Sequence, residues 1–354
     1  MTSPRFLQNT LKQSDEEHTK FFFIFSGDFP KLGYSELKAI FEIYDIDYEV
    51  LYLENQFCLI TFQNFDKEYL IFFKRLAYCK TFAQFTFSFS KDNSELYLPL
   101  STHDYFNSSK LFAVRRIKVN TKKLAINYES IIGSKIKQLF PKFTVNLNHP
   151  EFVFIVFSIN NSIFVGLELH DHSTKWNDRR PRSRPFFLPF SLYPKLSRAL
   201  VNLSRIKEEQ LLIDPFCGTG SIGIESCMMN IDFIGIDIKH WICRGASKNF
   251  LHFNLKNWFI FQADSLKIPI SEANSVVTDL PYGITSSIMS NNRDDFLTNI
   301  FGEISFLLPK DSFFVFMCPK SWKIPDTNNF ILFEKHEIFV HRNLTRVINV
   351  MKRC

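Results

Sequence analysis

The second half of the chain alternates short apolar runs with segments whose apolar residues recur at helical spacing. The predicted strands are Leu211–Ile213, Phe233–Ile236, Phe259–Gln262, Ser275–Asp279 and Ser312–Met317, and the predicted helices are Ser221–Met229, Trp241–Phe250 and Phe296–Leu308. Such alternation predicts an α/β fold, in which a mostly parallel sheet carries helices on both faces. The closing segments Phe330–Val340 and Thr345–Met351 predict an antiparallel hairpin at one edge. A further helix is predicted to begin at Pro194.

The first half shows shorter elements in a different order. The predicted strands are Phe21–Phe25, Tyr48–Leu53, Phe57–Phe62, Lys110–Ile117, Phe152–Phe157 and Ser162–Leu169, and the predicted helices are Tyr34–Tyr44, Asp66–Tyr78 and Tyr128–Leu139. This order predicts two small α+β modules. The polar, mixed-charge segment 1–20 has no apolar signal core and predicts a flexible extension.

Composition narrows the class of protein. A chain of 354 residues is long enough for two or three domains, and 45% hydrophobic with 22% charged residues is typical of a globular protein. No apolar run approaches the ~20 residues of a membrane span, so no membrane partner is expected. The seven cysteines are scattered and lack a C-x-x-C pair. This pattern argues against disulfides and a zinc knuckle, and it predicts a cytoplasmic protein.

The net charge of +6 is concentrated in two basic clusters. The segment 110–142 has nine basic residues and one acidic residue, and the segment 175–184 has five basic residues and one acidic residue. Such clusters are either solvated basic faces or the footprint of a polyanion, and two in one chain favour a nucleic acid. The candidate RNA-binding residues here are Arg115, Arg116, Lys118, Lys122, Lys123, Lys135, Lys137, Arg179, Arg180, Arg182 and Arg184.

A glycine-bearing turn follows the first strand of the second half. Its residues, all candidates for cofactor binding, are Asp214, Pro215, Phe216, Cys217, Gly218, Thr219 and Gly220. A strand, a glycine turn and a helix in succession form the nucleotide crevice of doubly wound sheets, where glycines let backbone N–H groups approach a ligand. The turn is neither G-x-G-x-x-G nor a phosphate loop, so a pyrophosphate is not the expected ligand.

Further acids end the next two predicted strands. Asp237 precedes Ile238, and Asp264 precedes Ser265. An isolated Asp at such a place is more often a helix N-cap. Three acids at successive strand ends, counting Asp214, instead predict a nucleoside ligand without phosphates. S-adenosylmethionine fits, because it carries ribose hydroxyls, an amino group and a sulfonium cation.

The segment Asp279-Leu280-Pro281-Tyr282 resembles the [Asn/Asp]-Pro-Pro-[aromatic] signature of methyltransferases that act on exocyclic amino nitrogens. Such a nitrogen attacks poorly because its lone pair is delocalised into the ring. A carboxylate and a backbone carbonyl that accept its two hydrogens localise the lone pair. Pro281 adds no competing N–H, and Tyr282 can stack on the target base. Leu280 departs from the signature, and alone the segment also fits an ordinary turn.

Four pieces of the first half resemble a THUMP domain, a module implied to grip the acceptor end of tRNA. They are Phe112–Arg115, Ile131–Gly133, Val145–Pro150 and Phe164–Leu167. Next to them, His170-Asp171-His172 offers two possible metal ligands. Adjacent residues on a strand point to opposite faces and a third ligand is missing, so no metal site is predicted.

The terminal segment Val340–Arg346 and the linker pieces Arg184–Phe187 and Pro194–Leu196 resemble the tRNA guanine-N2 methyltransferases that modify the tenth nucleotide. The resemblance implies S-adenosylmethionine at the glycine turn and guanine N2 at Asp279. It adds His341, Arg342 and Arg346 to the candidate RNA-binding residues. Archaeal-type members of this family can add two methyl groups, and others add one with the help of a small zinc-binding activator subunit.

The predicted organisation is therefore a Rossmann-like methyltransferase sheet behind a ferredoxin-like and THUMP-like α+β half. Its predicted segments are an extension (1–20), a ferredoxin-like domain (21–80), a THUMP-like domain (81–172), a basic linker (173–190) and a methyltransferase domain (191–354). Three alternatives stay open: a THUMP enzyme acting on acceptor-stem guanine, a DNA adenine-N6 methyltransferase, and a silent tRNA-binding subunit. The THUMP-like half argues against DNA, and the intact acids and glycines argue against a silent subunit.

Overall fold

A computed structural model describes residues 19–91, 110–117, 126–168, 176–281, 293–342 and 344–354. Lys118, Lys122, Lys123, Tyr282 and the segment 170–172 from the sequence predictions lie outside the described residues. The chain forms two compact units. Unit 1 contains the described residues of Met1–Pro30, Asp47–Ile71 and Cys79–His172, and unit 2 contains those of Lys31–Ile46, Phe72–Tyr78 and Ser173–Cys354.

Unit 1 is built on an eight-stranded sheet with the order β2-β3-β1-β4-β8-β7-β5-β6. Its strands are β1 (Thr19–Phe25), β2 (Glu49–Glu54), β3 (Phe57–Phe62), β4 (Cys79–Ser90), β5 (Leu111–Arg116), β6 (Thr144–Val145), β7 (Phe152–Ile159) and β8 (Ser162–Glu168). Neighbours are antiparallel, except that β5 runs parallel to both β6 and β7. The pairing of β4 with β8 makes the two predicted α+β modules share one sheet.

Phenylalanine rings fill the interior of unit 1. Phe57 stacks on Phe157 with centroids 5.1 Å apart and lies 4.5 Å from Phe164. Gly166 on β8 is required by this packing, because an added Cβ would lie 2.5 Å from the ring of Phe22. A helix, Tyr128–Leu139, begins at Asn127, whose side chain accepts the N–H of Ser130.

Two elements of the first half differ from the prediction. The strand β4 was not predicted, and the predicted helix over Asp66–Tyr78 is wrong. Only one turn, Tyr69–Phe72, is α-helical, and a 3-10 turn, Phe73–Arg75, follows it. The chain then becomes extended because the buried carboxylate of Glu36 accepts the N–H groups of Ala77 and Tyr78, at 2.8 and 2.9 Å. A helix would direct those N–H groups to its own carbonyls.

Unit 2 is built on a seven-stranded sheet with the order β11-β10-β9-β12-β13-β15-β14. The strands are β9 (Leu211–Asp214), β10 (Asp232–Asp237), β11 (Trp258–Gln262), β12 (Ser275–Asp279), β13 (Phe313–Pro319), β14 (Phe330–His341) and β15 (Leu344–Arg353). The first five are parallel, and β15 pairs antiparallel with both β13 and β14. The predicted Rossmann-like sheet and its closing hairpin are confirmed.

The helices of the described chain are numbered in order. They are α1 (Pro30–Ile43), α2 (Tyr69–Phe72), α3 (Tyr128–Leu139), α4 (Pro194–Leu203), α5 (Ser221–Cys227), α6 (His240–His252) and α7 (Arg293–Leu307). None of them is long and apolar enough to cross a membrane. The apolar face of α7 packs on the sheet of unit 2, where Phe301 lies edge-on to Phe314 and Phe316.

The strand order of unit 2 sets the place of a ligand site. Chain order runs outward from β9 to β10 and β11 on one side, and it resumes at β12 on the other side. A crevice forms at the carboxyl ends of parallel strands where the order reverses. The glycine turn after β9 and the segment after β12 both lie at this reversal.

Candidate active site

The turn between β9 and α5 requires glycine at two positions. Gly218 and Gly220 have φ angles of 51° and 77°, in the left-handed region that side chains disfavour. A Cβ on Gly220 would also lie 2.4 Å from the ring of Phe250. At Gly218 an added Cβ would find its nearest neighbour 4.0 Å away, at the carbonyl oxygen of Phe216. The backbone is therefore open to a ligand on the Gly218 side and packed on the Gly220 side.

Asp214 lies at the centre of the crevice and is only 2% exposed. Its Oδ1 accepts hydrogen bonds from Thr278 Oγ1 at 2.6 Å and from the N–H of Phe216 at 3.1 Å. Burial is the main cause that raises the pKa of Asp214 to about 7; the charges of Asp279 and Asp237 act in the same direction, and the two hydrogen bonds act against them. A cationic ligand group beside Asp214 would favour the ionised form.

Two more acids extend the row along the same edge. Burial raises the pKa of Asp237 at the end of β10, while the N–H groups of Lys239 and Gly218 lower it. Asp264 follows β11, is exposed, and accepts the N–H of Leu266 at 3.0 Å. Because β9, β10 and β11 are parallel neighbours, the three predicted acids lie along one sheet edge.

Some of the side chains around these acids are buried, and others are exposed to a ligand. Cys217 is buried, its N–H donates to Ile236 O at 2.9 Å, and burial raises its thiol pKa well above the usual range. The buried Ser265 hydroxyl donates to the carbonyl of Pro215. Ile238, by contrast, is 46% exposed beside Asp237 and can contact a ligand.

Asp279 ends β12, on the other side of the strand reversal. Its Oδ2 accepts a 3.4 Å hydrogen bond from Nη1 of Arg346 on β15. Leu280 is 1% exposed, belongs to the apolar core of unit 2, and donates its N–H to Met317 O at 3.0 Å. The leucine at this position therefore anchors the segment in the core. Pro281 is half-buried, and it is the last described residue before residue 293.

Arg179 and Arg184, two of the candidate RNA-binding residues, are both buried and make contacts within the protein. Arg179 Nε lies 2.7 Å from Oε1 of Glu225, and Arg198 Nε lies 2.9 Å from its Oε2. Arg184 donates to Ser221 Oγ at 2.6 Å, and burial lowers its pKa to about 10. Because Glu225 and Ser221 both lie on α5, these arginines stabilise the helix that begins at the glycine turn.

The other predicted RNA-binding residues have different exposures. The exposed ones are Arg115, Lys137, Arg180, Arg182, His341 and Arg342, and the partly buried ones are Arg116, Lys135 and Arg346. Arg346 differs from the prediction in its partner, because its guanidinium contacts Asp279 within unit 2. Charge in a basic segment is therefore not a sufficient sign of an RNA contact.

Several residues that hold the site were not predicted. Thr278 bonds to Asp214, and Ser191 lies 2.9 Å from the hydroxyl of Thr219. The buried Asn249 on α6 donates to the carbonyl of Thr219 at 3.0 Å and to that of Phe186 at 2.8 Å. Only Thr278 carried a sequence signal, since it immediately precedes Asp279.

Two family models match the chain. A methyltransferase-domain model, described as RMKL-like, matches residues 181–347, and a DNA methylase model matches residues 18–249. Both describe methyltransferases. The first spans the glycine turn, the row of acids and the hairpin that carries Arg346.

Proteins of similar sequence have names that specify a reaction and a substrate, which the family models do not. The chain is 28% identical over 335 residues to the tRNA (guanine(10)-N2)-dimethyltransferase of Methanothermobacter thermautotrophicus, covering 93% of this chain and 98% of that protein. It is 34% identical to the probable tRNA (guanine(10)-N2)-dimethyltransferase of Methanothermococcus thermolithotrophicus, covering 45% of this chain and 98% of that protein.

The fold is similar to that of a solved structure, TrmN from Thermus thermophilus. The TM-score is 0.54 at 16% sequence identity, and the match covers 95% of this chain and 100% of that one. The sequence relatives carry the assignment to a family, and the structural neighbour agrees with the fold. The chain belongs to the tRNA (guanine(10)-N2)-dimethyltransferase family of methyltransferases.

Proposed function

We propose that this enzyme transfers methyl groups from S-adenosylmethionine to the exocyclic N2 of the guanosine at the tenth nucleotide of tRNA. One observation carries the proposal: Asp279 lies across the strand reversal from the row formed by Asp214, Asp237 and Asp264. A nucleoside-binding edge and a carboxylate for an amine thus share one crevice. The names of the curated relatives support the substrate.

The residues along the edge fit S-adenosylmethionine. In our proposal the carboxylates of Asp237 and Asp264 accept hydrogen bonds from the ribose hydroxyls and the adenine amino group. Ile238 gives the adenine an apolar contact, and the open backbone at Gly218 allows close approach. Asp214 lies near the cationic end, where its charge is offset. When bound, the cofactor supplies an electrophilic methyl group on a sulfonium.

On the other side of the crevice, Asp279 and the carbonyl of Leu280 accept the two hydrogens of the guanine amino group. The nitrogen lone pair is then free to attack, and the new N–C bond forms as the S–C bond breaks. Asp279 receives the proton that the nitrogen loses. Pro281 keeps the backbone free of a competing donor, and Tyr282 stacks on the base.

Unit 1 carries RNA binding in this proposal, with the THUMP-like segment 81–172 as its core. Arg115, Arg116, Lys135 and Lys137 contact phosphates, and Lys118, Lys122 and Lys123 extend the same basic run. In unit 2, the exposed Arg180, Arg182, His341 and Arg342 remain candidate RNA contacts. The predicted segments are our proposed domains, although the two compact units divide the ferredoxin-like domain (21–80) between them.

The seven cysteines are all free thiols, which supports a cytoplasmic enzyme. A small zinc-binding activator subunit is a possible partner, as the family resemblance implies. The relatives are dimethyltransferases by name, which favours two methyl groups over one.

The test is methyl transfer from labelled S-adenosylmethionine to an unmodified tRNA transcript, with the product mapped by nuclease digestion and mass spectrometry. We expect N2-methylated guanosine at the tenth nucleotide. We expect Asp279→Asn to lower kcat at least 100-fold while the Kd for tRNA stays within about twofold, because one carboxylate contributes little to a polyanion interface. Label in the acceptor stem would give the function to the related enzymes that methylate there. Loss of tRNA binding in Asp279→Asn would contradict its catalytic role.

A further inference from the structure

We infer that Arg346 positions the catalytic carboxylate of Asp279 and keeps it ionised, and that it is not a contact to RNA. This inference rests on the function proposed above. It assigns Arg346 a role in catalysis that differs from the RNA-binding role predicted from the terminal basic motif. The carrying observation is the 3.4 Å contact between Arg346 Nη1 and Asp279 Oδ2.

The sheet topology fixes this contact. Asp279 is the last residue of β12 and is opposite Met317 on the neighbouring strand β13. Arg346 on the next strand, β15, is opposite Pro319 of β13. An arginine two strands away is long enough to reach the end of β12. Because the side chains of Arg346 and Asp279 are only 13% and 19% exposed, water screens their attraction weakly.

The surroundings of Asp279 favour a cation beside it. The elements next to it present Asp214 at the end of β9 and the buried thiol of Cys318 on β13, and the charge of Asp279 raises the pKa of both groups. Lys335 on β14 acts on Cys318 in the opposite sense. Like charges disfavour ionisation of a carboxylate, whereas a cation within about 4 to 6 Å favours it. Arg346 supplies that cation in direct contact with Asp279.

The contact also orients the acceptor. Arg346 engages Oδ2 of the carboxylate, and this contact fixes the direction in which the carboxylate faces. A carboxylate whose rotamer is fixed by an ion pair is already oriented for the reacting nitrogen. Arg342, four residues before Arg346 in the sequence, is exposed at the hairpin tip and stays a candidate RNA contact.

The experiment compares Arg346→Gln and Arg346→Lys with the wild-type enzyme on tRNA transcript. We expect Arg346→Gln to lower kcat by roughly 10- to 100-fold while the KM for tRNA and the Kd for S-adenosylmethionine stay within about twofold. The acid limb of the kcat profile should move to higher pH by about one to two units, because Asp279 loses its cation. Arg346→Lys retains the charge and should restore most of the lost kcat.

A matched control is Lys352→Gln, which removes the 2.8 Å ion pair with Asp311 at the far end of β15. It should leave kcat, KM and the pH profile unchanged. A raised KM for tRNA with unchanged kcat in Arg346→Gln would restore the RNA-contact role and overturn the inference. Equal losses in Arg346→Gln and Arg346→Lys with an unmoved pH profile would also overturn it, in favour of a purely structural role. Wild-type enzyme without N2-methylated guanosine would instead overturn the proposed function itself.

Discussion

The basic cluster of unit 1 and the basic linker of unit 2 look alike in the sequence and differ in the structure. Both predict a polyanion partner by composition. In unit 1, Arg115 and Lys137 are exposed, whereas in the linker Arg179 and Arg184 are 8% and 4% exposed. The linker arginines bind within the protein, to Glu225 and Ser221. Net charge in a segment therefore predicts a surface only when no buried acid lies within reach.

The difference follows from where a counter-charge is available. Glu225 is fully buried on α5 and lies between Arg179 and Arg198. Trp176 adds its ring face to both guanidinium groups, at 5.2 and 5.1 Å from the centroid. In the segment 110–142 the one acid, Glu129, accepts the backbone N–H of Arg116. Among the described basic residues of this segment, Lys110 pairs with Glu151, whereas Arg115 and Lys137 are exposed.

The largest expected effect comes from removing the buried counter-charge. Glu225→Gln leaves the guanidinium groups of Arg179 and Arg198 buried without their carboxylate. We expect the free energy of unfolding to fall by about 3 to 5 kcal/mol, measured by urea denaturation. The exposed acid of the same linker provides the control, and Asp178→Asn should change stability by less than about 0.5 kcal/mol. Similar losses in the two variants would mean that the buried cluster is not a stabilising contact.

The second effect concerns Asp214, the buried acid of the site. Its folded pKa of about 7 lies above the usual value for Asp, so the folded state holds the proton more tightly than the unfolded state. Stability is therefore lost as pH rises between about 4 and 7. Asp214→Asn avoids this loss, and at pH 8 it should be more stable than wild type by on the order of 2 to 4 kcal/mol.

The measurement for Asp214→Asn is thermal or urea unfolding at pH 5 and pH 8 without cofactor. The stability gap should shrink at pH 5, and binding of S-adenosylmethionine should be lost at both pH values. Asp264→Asn, at an exposed acid of the same row, should show no comparable gap. If the difference in stability between Asp214→Asn and wild type did not depend on pH, ionisation of Asp214 would not be its cause.

Most strands and helices, and the row of acids, could be predicted from the sequence because they depend on local patterns. Strands β9 to β13 and their parallel arrangement follow from alternation, and the acids follow from their places at strand ends. The contacts that correct the site are not local: Glu225 is 46 residues from Arg179, and Arg346 is 67 residues from Asp279. The periodicity of apolar residues reports only local structure and cannot predict such distant pairs.

The missed strand β4 is a different case. Phe85, Phe87 and Phe89 alternate with polar residues, which is the pattern of a half-buried strand. The sequence therefore carries a local signal for β4. The wrong helix over Asp66–Tyr78, however, depends on the carboxylate of Glu36, which lies more than 40 residues away. Local propensity cannot report a competitor for backbone N–H groups that comes from another element.

The smallest expected change in free energy concerns the basic cluster of unit 1. Arg115→Glu with Arg116→Glu should weaken tRNA binding on the order of tenfold and reduce the salt slope of log K by about 2, because two phosphate contacts release counterions.

Lys67→Glu with Lys80→Glu makes the same change of charge in unit 1 on exposed residues outside the cluster. If the salt slope depends only on net charge, both double variants lower it equally. If the cluster itself contacts phosphates, the slope falls only for the arginine pair, and stability stays unchanged in both. Equal slopes would place the RNA elsewhere on the protein and remove the contrast with the buried linker arginines.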